Sequence, residues 1–200
     1  MSEVATTTVQ ERRKAQQERQ RRRLILAAGE TFVALGYATS TVADILKAAG
    51  MSRRSFYEFF TSKEDILLAL LDEMVNEIRG EVQELTQGVE DPFERATLLM
   101  LAYVRVASRF PVVSYQVMAA GGEPRVRRRQ HLSAFLEQLN EQLKAAHEKG
   151  LISKAPDDVT LRMLVGGLDH LILSYHLDGS RERLGETEGE VRELFARAFK

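Results

Sequence analysis

Arg53 and Arg54 stand side by side, with Ser55 and Tyr57 directly after them, in the stretch TVADILKAAGMSRRSFYEFFTSK at 41–63. An arginine in the first turn of an exposed helix can make a bidentate contact with O6 and N7 of guanine in the major groove. The hydroxyls of Ser55 and Tyr57 can donate to phosphate oxygens, as can Thr41, Ser52 and the backbone amides at the two helix starts. Such bonds position a protein on a duplex without reading its sequence. Glu58 has two uses open to it, accepting from cytosine N4 or pairing with Arg54 one turn back, and the intrahelical pair is favoured.

This chemistry needs two short helices to aim it. In the first, Val42, Ile45, Leu46 and Ala49 recur at i, i+3, i+4 and i+7, and Thr41 with Asp44 forms a capping box. Gly50 and Met51 make the hinge. The second opens at Ser52 as N-cap and turns Phe56, Phe59 and Phe60 inward, so Arg54, Tyr57 and Glu58 face out. Upstream, a helix carrying Leu24, Ile25, Ala28, Phe32 and Leu35 ends at Gly36, with Tyr37 packing back. Downstream, Ser62 and Asp65 form a second capping box for a long helix running through Leu67, Leu71, Met74, Ile78 and Leu85. Its length lets it join a reader to a larger body and transmit a displacement. Two helices so hinged, with arginines on the outer surface of the second, describe a helix-turn-helix.

From residue 24 to 71 the chain resembles the DNA-binding domain of the TetR family of bacterial transcriptional regulators. Ala27, Ala28, Phe32, Gly36, Tyr37 and Thr39 match, then Thr41, Val42, Asp44 and Ile45. Further matches are Ala49, Gly50, Ser52, Tyr57 and Phe60, followed by Ser62, Lys63, Glu64 and Leu67. The resemblance implies phosphate contacts at Tyr57 and Lys63 and base reading by Arg53, Arg54 and Ser55. Phe59 stands where the family often has tyrosine or histidine and has no polar atom to offer a phosphate. The resemblance also implies an all-α fold of about nine helices, with a three-helix helix-turn-helix domain followed by a helical ligand-binding and dimerisation domain.

Composition fits that frame. At 44% hydrophobic and 28% charged, the chain is ordinary for a folded soluble protein. No apolar run has the roughly 18 residues needed to span a bilayer, and the amino terminus lacks the apolar core of a signal peptide, so a cytoplasmic location and no membrane partner are expected. With no cysteine, thiol chemistry is excluded. The net charge of −1 hides an asymmetry: residues 1–63 hold 11 Lys or Arg against 6 Asp or Glu (+5), while 64–200 hold 17 against 23 (−6). Polyanion binding belongs to the first third.

The expected layout is a flexible basic arm at 1–20, the helix-turn-helix domain at 21–67 and the ligand-binding and dimerisation domain at 68–200. The arm holds Arg12, Arg13, Lys14 and Arg19 with almost no apolar residue, and reads as a mobile tail or a frayed extension of the first helix. It either follows the phosphate backbone or is a solvated terminus. Beyond it, Asp91-Pro92-Phe93-Glu94 starts a fifth helix that Pro111 ends, and a sixth runs roughly 112–119. Pro124 opens a seventh, whose face is Leu132, Phe135, Leu136, Leu139, Leu143 and Ala146. An eighth follows Asp157, and a ninth is capped by Thr187 and Glu190 with Val191, Leu194, Phe195, Ala198 and Phe199 as its stripe.

One reading helix covers few base pairs, so a palindromic double-stranded operator and a homodimer are expected. Gly166, Gly167, Leu171 and Tyr175 on the eighth helix, with Leu194 and Phe195 on the ninth, are the candidate dimer surface, matching the four-helix interface that the resemblance implies. Intrachain packing is the other use for the two glycines. A small hydrophobic or amphipathic effector is expected in the larger domain, with Tyr103, Tyr115, Met118, His131, Phe135 and His170 as candidate contacts and an ordinary core role as the alternative for each. Arg125, Arg127, Arg128 and Arg129 crowd one helix start, against its dipole; Glu123 or a neighbouring subunit's acids are candidate partners, and a solvated charged face is favoured over a second anion site. No cofactor, metal site or catalytic residue is expected: His170 and His176 are not spaced as an i, i+4 zinc pair, and neither a nucleophile elbow nor a phosphate loop is present. The expected function is a repressor released from DNA by its effector, with ligand-dependent activation as the alternative, and a nonregulatory DNA-binding or enzymatic helical protein behind both.

Overall fold

The computed structural model describes residues 2–110, 113–180 and 183–200. Among these the chain forms nine α-helices and no strand, the expected fold class. They are α1 (Ser2–Leu35), α2 (Val42–Ala49), α3 (Arg53–Tyr57), α4 (Lys63–Leu85), α5 (Pro92–Arg109), α6 (Val113–Ala120), α7 (Gly122–Glu148), α8 (Asp158–Leu177) and α9 (Arg183–Phe199). The chain divides into two compact units between Leu70 and Leu71, inside α4. Pro111 and Val112, expected to end the fifth helix and start the sixth, lie outside the described residues.

In the first unit α1 packs on α2, and Leu24, Ile25, Ala28, Phe32, Ile45 and Phe56 are fully buried between the helices. Burying each of these leucine, isoleucine and phenylalanine side chains contributes about 1.5–3 kcal/mol relative to exposure. Tyr37 packs back as expected, its ring edge-on to Phe32 at 5.4 Å. Leu35, expected on the inner face, is instead half exposed, because the helix ends there and the chain turns away at Gly36. The basic segment before Leu24 is the helical extension of α1, and residues 10–19 are exposed. They lack apolar periodicity because they have nothing to pack against.

In the second unit α5 is the central helix. Its residues from Ala96 to Val104 are buried on every side, and α7, α8 and α9 pack around it. Asp91 caps it through its Oδ1, which accepts from the amides of Phe93 and Glu94, with Pro92 in the first turn. Arg105 then clamps Glu188 of α9 and Glu81 of α4, holding the Glu188 carboxyl below its ordinary range. Two helix starts differ from expectation. α7 begins at Gly122, so Pro124 sits inside the first turn, where its missing N–H removes no intrahelical bond. α9 begins at Arg183, and Thr187 is not a cap. It is buried one turn in, with its hydroxyl donating back to the Arg183 carbonyl at 2.8 Å. Among the described residues no helix is long and apolar enough to cross a membrane.

Candidate nucleic-acid interface and ligand cavity

The α2–α3 pair is built by its caps. Thr41 accepts from the Asp44 amide at 3.2 Å, while the Asp44 carboxylate takes the Thr41 amide at 2.9 Å and hydroxyl at 2.6 Å. Those bonds hold the Asp44 carboxyl below its ordinary value. At the other end Gly50 adopts φ 59°, and its amide bonds the carbonyls of Leu46 and Lys47. Only glycine takes this left-handed geometry without cost, and a side chain there would also press on Arg23 at 3.1 Å. Ser52 then caps α3, accepting from the Ser55 amide at 3.1 Å, with the two hydroxyls 2.9 Å apart.

Phe56 and Phe60 anchor α3 from within; Phe59 is only half-buried. The opposite surface presents Arg53, Arg54 and Tyr57. Arg54 is 91% exposed and its Nε lies 3.5 Å from Glu58, the intrahelical pair favoured by the spacing. Arg53 is exposed and makes no ion pair among the described residues. The candidate contacts thus differ in availability. Arg53, Arg54 and the Tyr57 hydroxyl point to solvent, whereas both donors of Thr41 are bound to Asp44 and the hydroxyls of Ser52 and Ser55 to each other.

Lys63 lies elsewhere. At the start of α4 its Nζ donates to the carbonyls of Tyr37 and, at 2.7 Å, of Ser40. Ser62 accepts from the Asp65 amide at 3.0 Å, but the Asp65 carboxylate reaches back to the amide of Thr61, not of Ser62. The second box is therefore one residue wider than its spacing suggested. Arg21, on α1, stacks on Phe60 at 5.5 Å and so braces the reader from the side.

In the second unit a cavity of about 280 Å³ lies among α4, α5 and α7. Its apolar wall includes Leu71, Met74, Ile78, Val82, Leu132 and Phe135. Of the six candidate ligand contacts, Tyr103, His131 and Phe135 line it. The other three point away: Tyr115 and Met118 are on the outer side of α6, and His170 is on the outer side of α8. Arg79 and Arg128 also line the cavity: nothing in the sequence singled out Arg79, and Arg128 read as part of a solvated charged face. The only sequence hint is Arg79 and Gln83 following Val75 at four-residue steps. Two of the four crowded arginines of α7 find acids within the unit: Arg127 pairs with Asp72 at 3.3 Å and Glu123 at 3.6 Å, and Arg128 pairs with Asp169.

On α8, Gly166 and Gly167 are exposed, and a Cβ on either would meet nothing within 4 Å. Val159, Met163 and Leu177 flank them at 66%, 71% and 72% exposure, an apolar face without cover. Leu194 is half exposed on α9, and Leu171 and Tyr175 are half-buried. Phe195 is core: it is 2% exposed, stacked on Phe93 at 5.7 Å and edge-on to Phe199 at 5.1 Å.

Residues 24–70 match the family described as bacterial regulatory proteins, tetR family. The HTH-type transcriptional regulator EthR of Mycobacterium tuberculosis is 44% identical over 54 residues, 27% of this chain and 25% of EthR, so the chain matches about a quarter of that relative's length. Two solved structures share the fold over nearly the whole chain. The fatty acid degradation regulator FadR from Bacillus halodurans has a TM-score of 0.78 at 22% identity, covering 88% of this chain and 94% of that one. FadR from Bacillus subtilis, in complex with stearoyl-CoA, has a TM-score of 0.75 at 23% identity, covering 87% and 96%. These relatives are regulators, not enzymes. Residues 24–70 thus carry the DNA-binding segment of the tetR family of bacterial regulatory proteins, and the chain as a whole shares the fold of these solved structures.

Proposed function

We propose that this protein is a homodimeric transcriptional repressor that binds a palindromic operator through α3 and leaves it when a small hydrophobic or amphipathic effector fills the cavity. The observation carrying the reading is the exposure of Arg53 and Arg54 at the opening of α3, on a helix locked by the Ser52 cap and the buried Phe56 and Phe60. Two guanidiniums so presented suit guanine edges and phosphates, and the Tyr57 hydroxyl, Lys63 and the exposed basic side chains of α1 supply further phosphate contacts.

A dimer suits the rest of the surface. The Gly166–Gly167 face of α8 would let a second helix approach closely, and Val159, Met163, Leu177 and Leu194 would give it apolar area to bury. The cavity supports an effector: its walls are apolar with a few placed polar groups, and a relative of the same fold binds stearoyl-CoA. Effector binding would shift the population toward a form whose two reading helices no longer match the operator.

Selection of duplexes from a random pool at low ionic strength tests this reading. The retained sequences should share an inverted repeat, and sedimentation should give two protein copies per site. A monomer that retains no duplex overturns it.

A further inference from the structure

The cavity has a marked charge character. None of its lining side chains is a carboxylate, yet two are arginines and one is His131. Arg79 is exposed and has no ion pair among the described residues. Arg128 is only 18% exposed, and its partner Asp169 is equally enclosed. Asp169 does not line the cavity, but both groups it holds do: its Oδ2 accepts from Arg128 of α7, and its Oδ1 from the Tyr103 hydroxyl of α5. One carboxylate on α8 thus ties down two donors that face the empty space.

We propose that the cavity takes an apolar chain with an anionic head, and that the head binds Arg128 by displacing Asp169. A carboxylate or phosphate oxygen offers a guanidinium the same acceptor that Asp169 does, so the exchange leaves Arg128 satisfied. Asp169 is the group left over. A poorly solvated carboxylate that loses its cation is costly to keep in place, so binding favours arrangements of α8 that return Asp169 to water. On the outer side of that helix are Gly166, Gly167 and Met163, the face assigned above to the second subunit. The regulatory consequence rests on the regulator reading above; the ligand preference does not.

The test is titration calorimetry on the full chain with three probes of equal chain length: dodecanoate, dodecanoyl-CoA and the neutral dodecanol. Wild type should bind at least one anionic probe about tenfold or more tightly than dodecanol. Whichever anion is preferred identifies the head as a free carboxylate or the phosphates of a thioester carrier. Arg128→Gln should collapse the preference to within about threefold, while Asp169→Asn, which removes the competing charge at constant shape, should tighten the anion about threefold or more and leave dodecanol unchanged. If Arg128→Gln does not fold, the Asp169→Asn comparison decides alone. Equal affinity for dodecanol, an unchanged preference in either variant, or binding of none of the probes overturns the inference. Retention of a selected duplex without ligand is measured in parallel: if it persists while the probes fail, the ligand site falls and the regulator stands, and if it is absent while the anion preference holds, the reverse is true.

Discussion

The ammonium of Lys63 lies 4.4 Å from the centre of the Tyr37 ring and donates to that residue's own carbonyl. A second bond to the Ser40 carbonyl completes a clamp across the turn between α1 and α2, made from the first residue of α4. Burial lowers the pKa of Lys63 and raises that of Tyr37. The lysine expected to meet phosphate therefore also holds the reader together.

Lys63→Met should separate the two roles. Losing the clamp should cost about 1–3 kcal/mol of stability, seen as a lower urea midpoint, because the freed carbonyls are partly buried. If Lys63 also neutralises a phosphate, the slope of log K against log salt should flatten by about one at a temperature where both proteins are folded. An unchanged slope with reduced stability would leave only the structural role.

Arg54→Ala should cost about 1–3 kcal/mol on the selected duplex and relax preference at one base pair. Equal loss on every single-base variant, measured by fluorescence anisotropy, would make it a phosphate contact. Glu58→Gln removes the acid 3.5 Å from Arg54 and should strengthen binding to all duplexes.

Tyr57→Phe removes only a hydroxyl that projects from a 55% exposed ring. Its melting temperature should be unchanged, whereas affinity should fall by about 0.5–1.5 kcal/mol alike on all sequences if the hydroxyl meets phosphate.

Acid should loosen the α2 cap. The bonds from the Thr41 hydroxyl and amide lower the Asp44 pKa below the ordinary 3.8, so their stabilising contribution is present above the unfolded value and is lost as pH falls through the folded one. Urea midpoints compared at about pH 5 and about pH 3 should drop less in Thr41→Ala than in wild type, and Thr41→Ala should itself cost about 1 kcal/mol at the higher pH.

Three of the five expected caps were legible as read, while the Ser62 box closes through Thr61 and Thr187 caps nothing. Thr41, Ser52 and Asp91 carry side chains of the right kind just before an apolar period, and each accepts the expected amide; Asp157, after which α8 was expected, accepts one too. Periodicity failed where packing, not pattern, decides. Residues 2–23 are helical without an apolar stripe, and the four residues before Thr187 include a glycine, which does not announce the start of a helix. Adjacent Leu194 and Phe195 both read as one stripe, but a helix turns about 100° per residue, so one faces out and the other in. Arg128 was hidden for another reason: its value lies in Asp169, 41 positions away, and no local spacing encodes that meeting.

Gly166 and Gly167 sit in the interior of α8, where alanine would be favoured by about 1 kcal/mol per site. In the isolated chain a methyl on either would touch nothing. Alanine at these positions should thus firm up the lone subunit, and any accompanying loss of operator affinity could not be blamed on misfolding. The pair offers a genetic handle on which assembly and integrity of the single copy move in opposite directions.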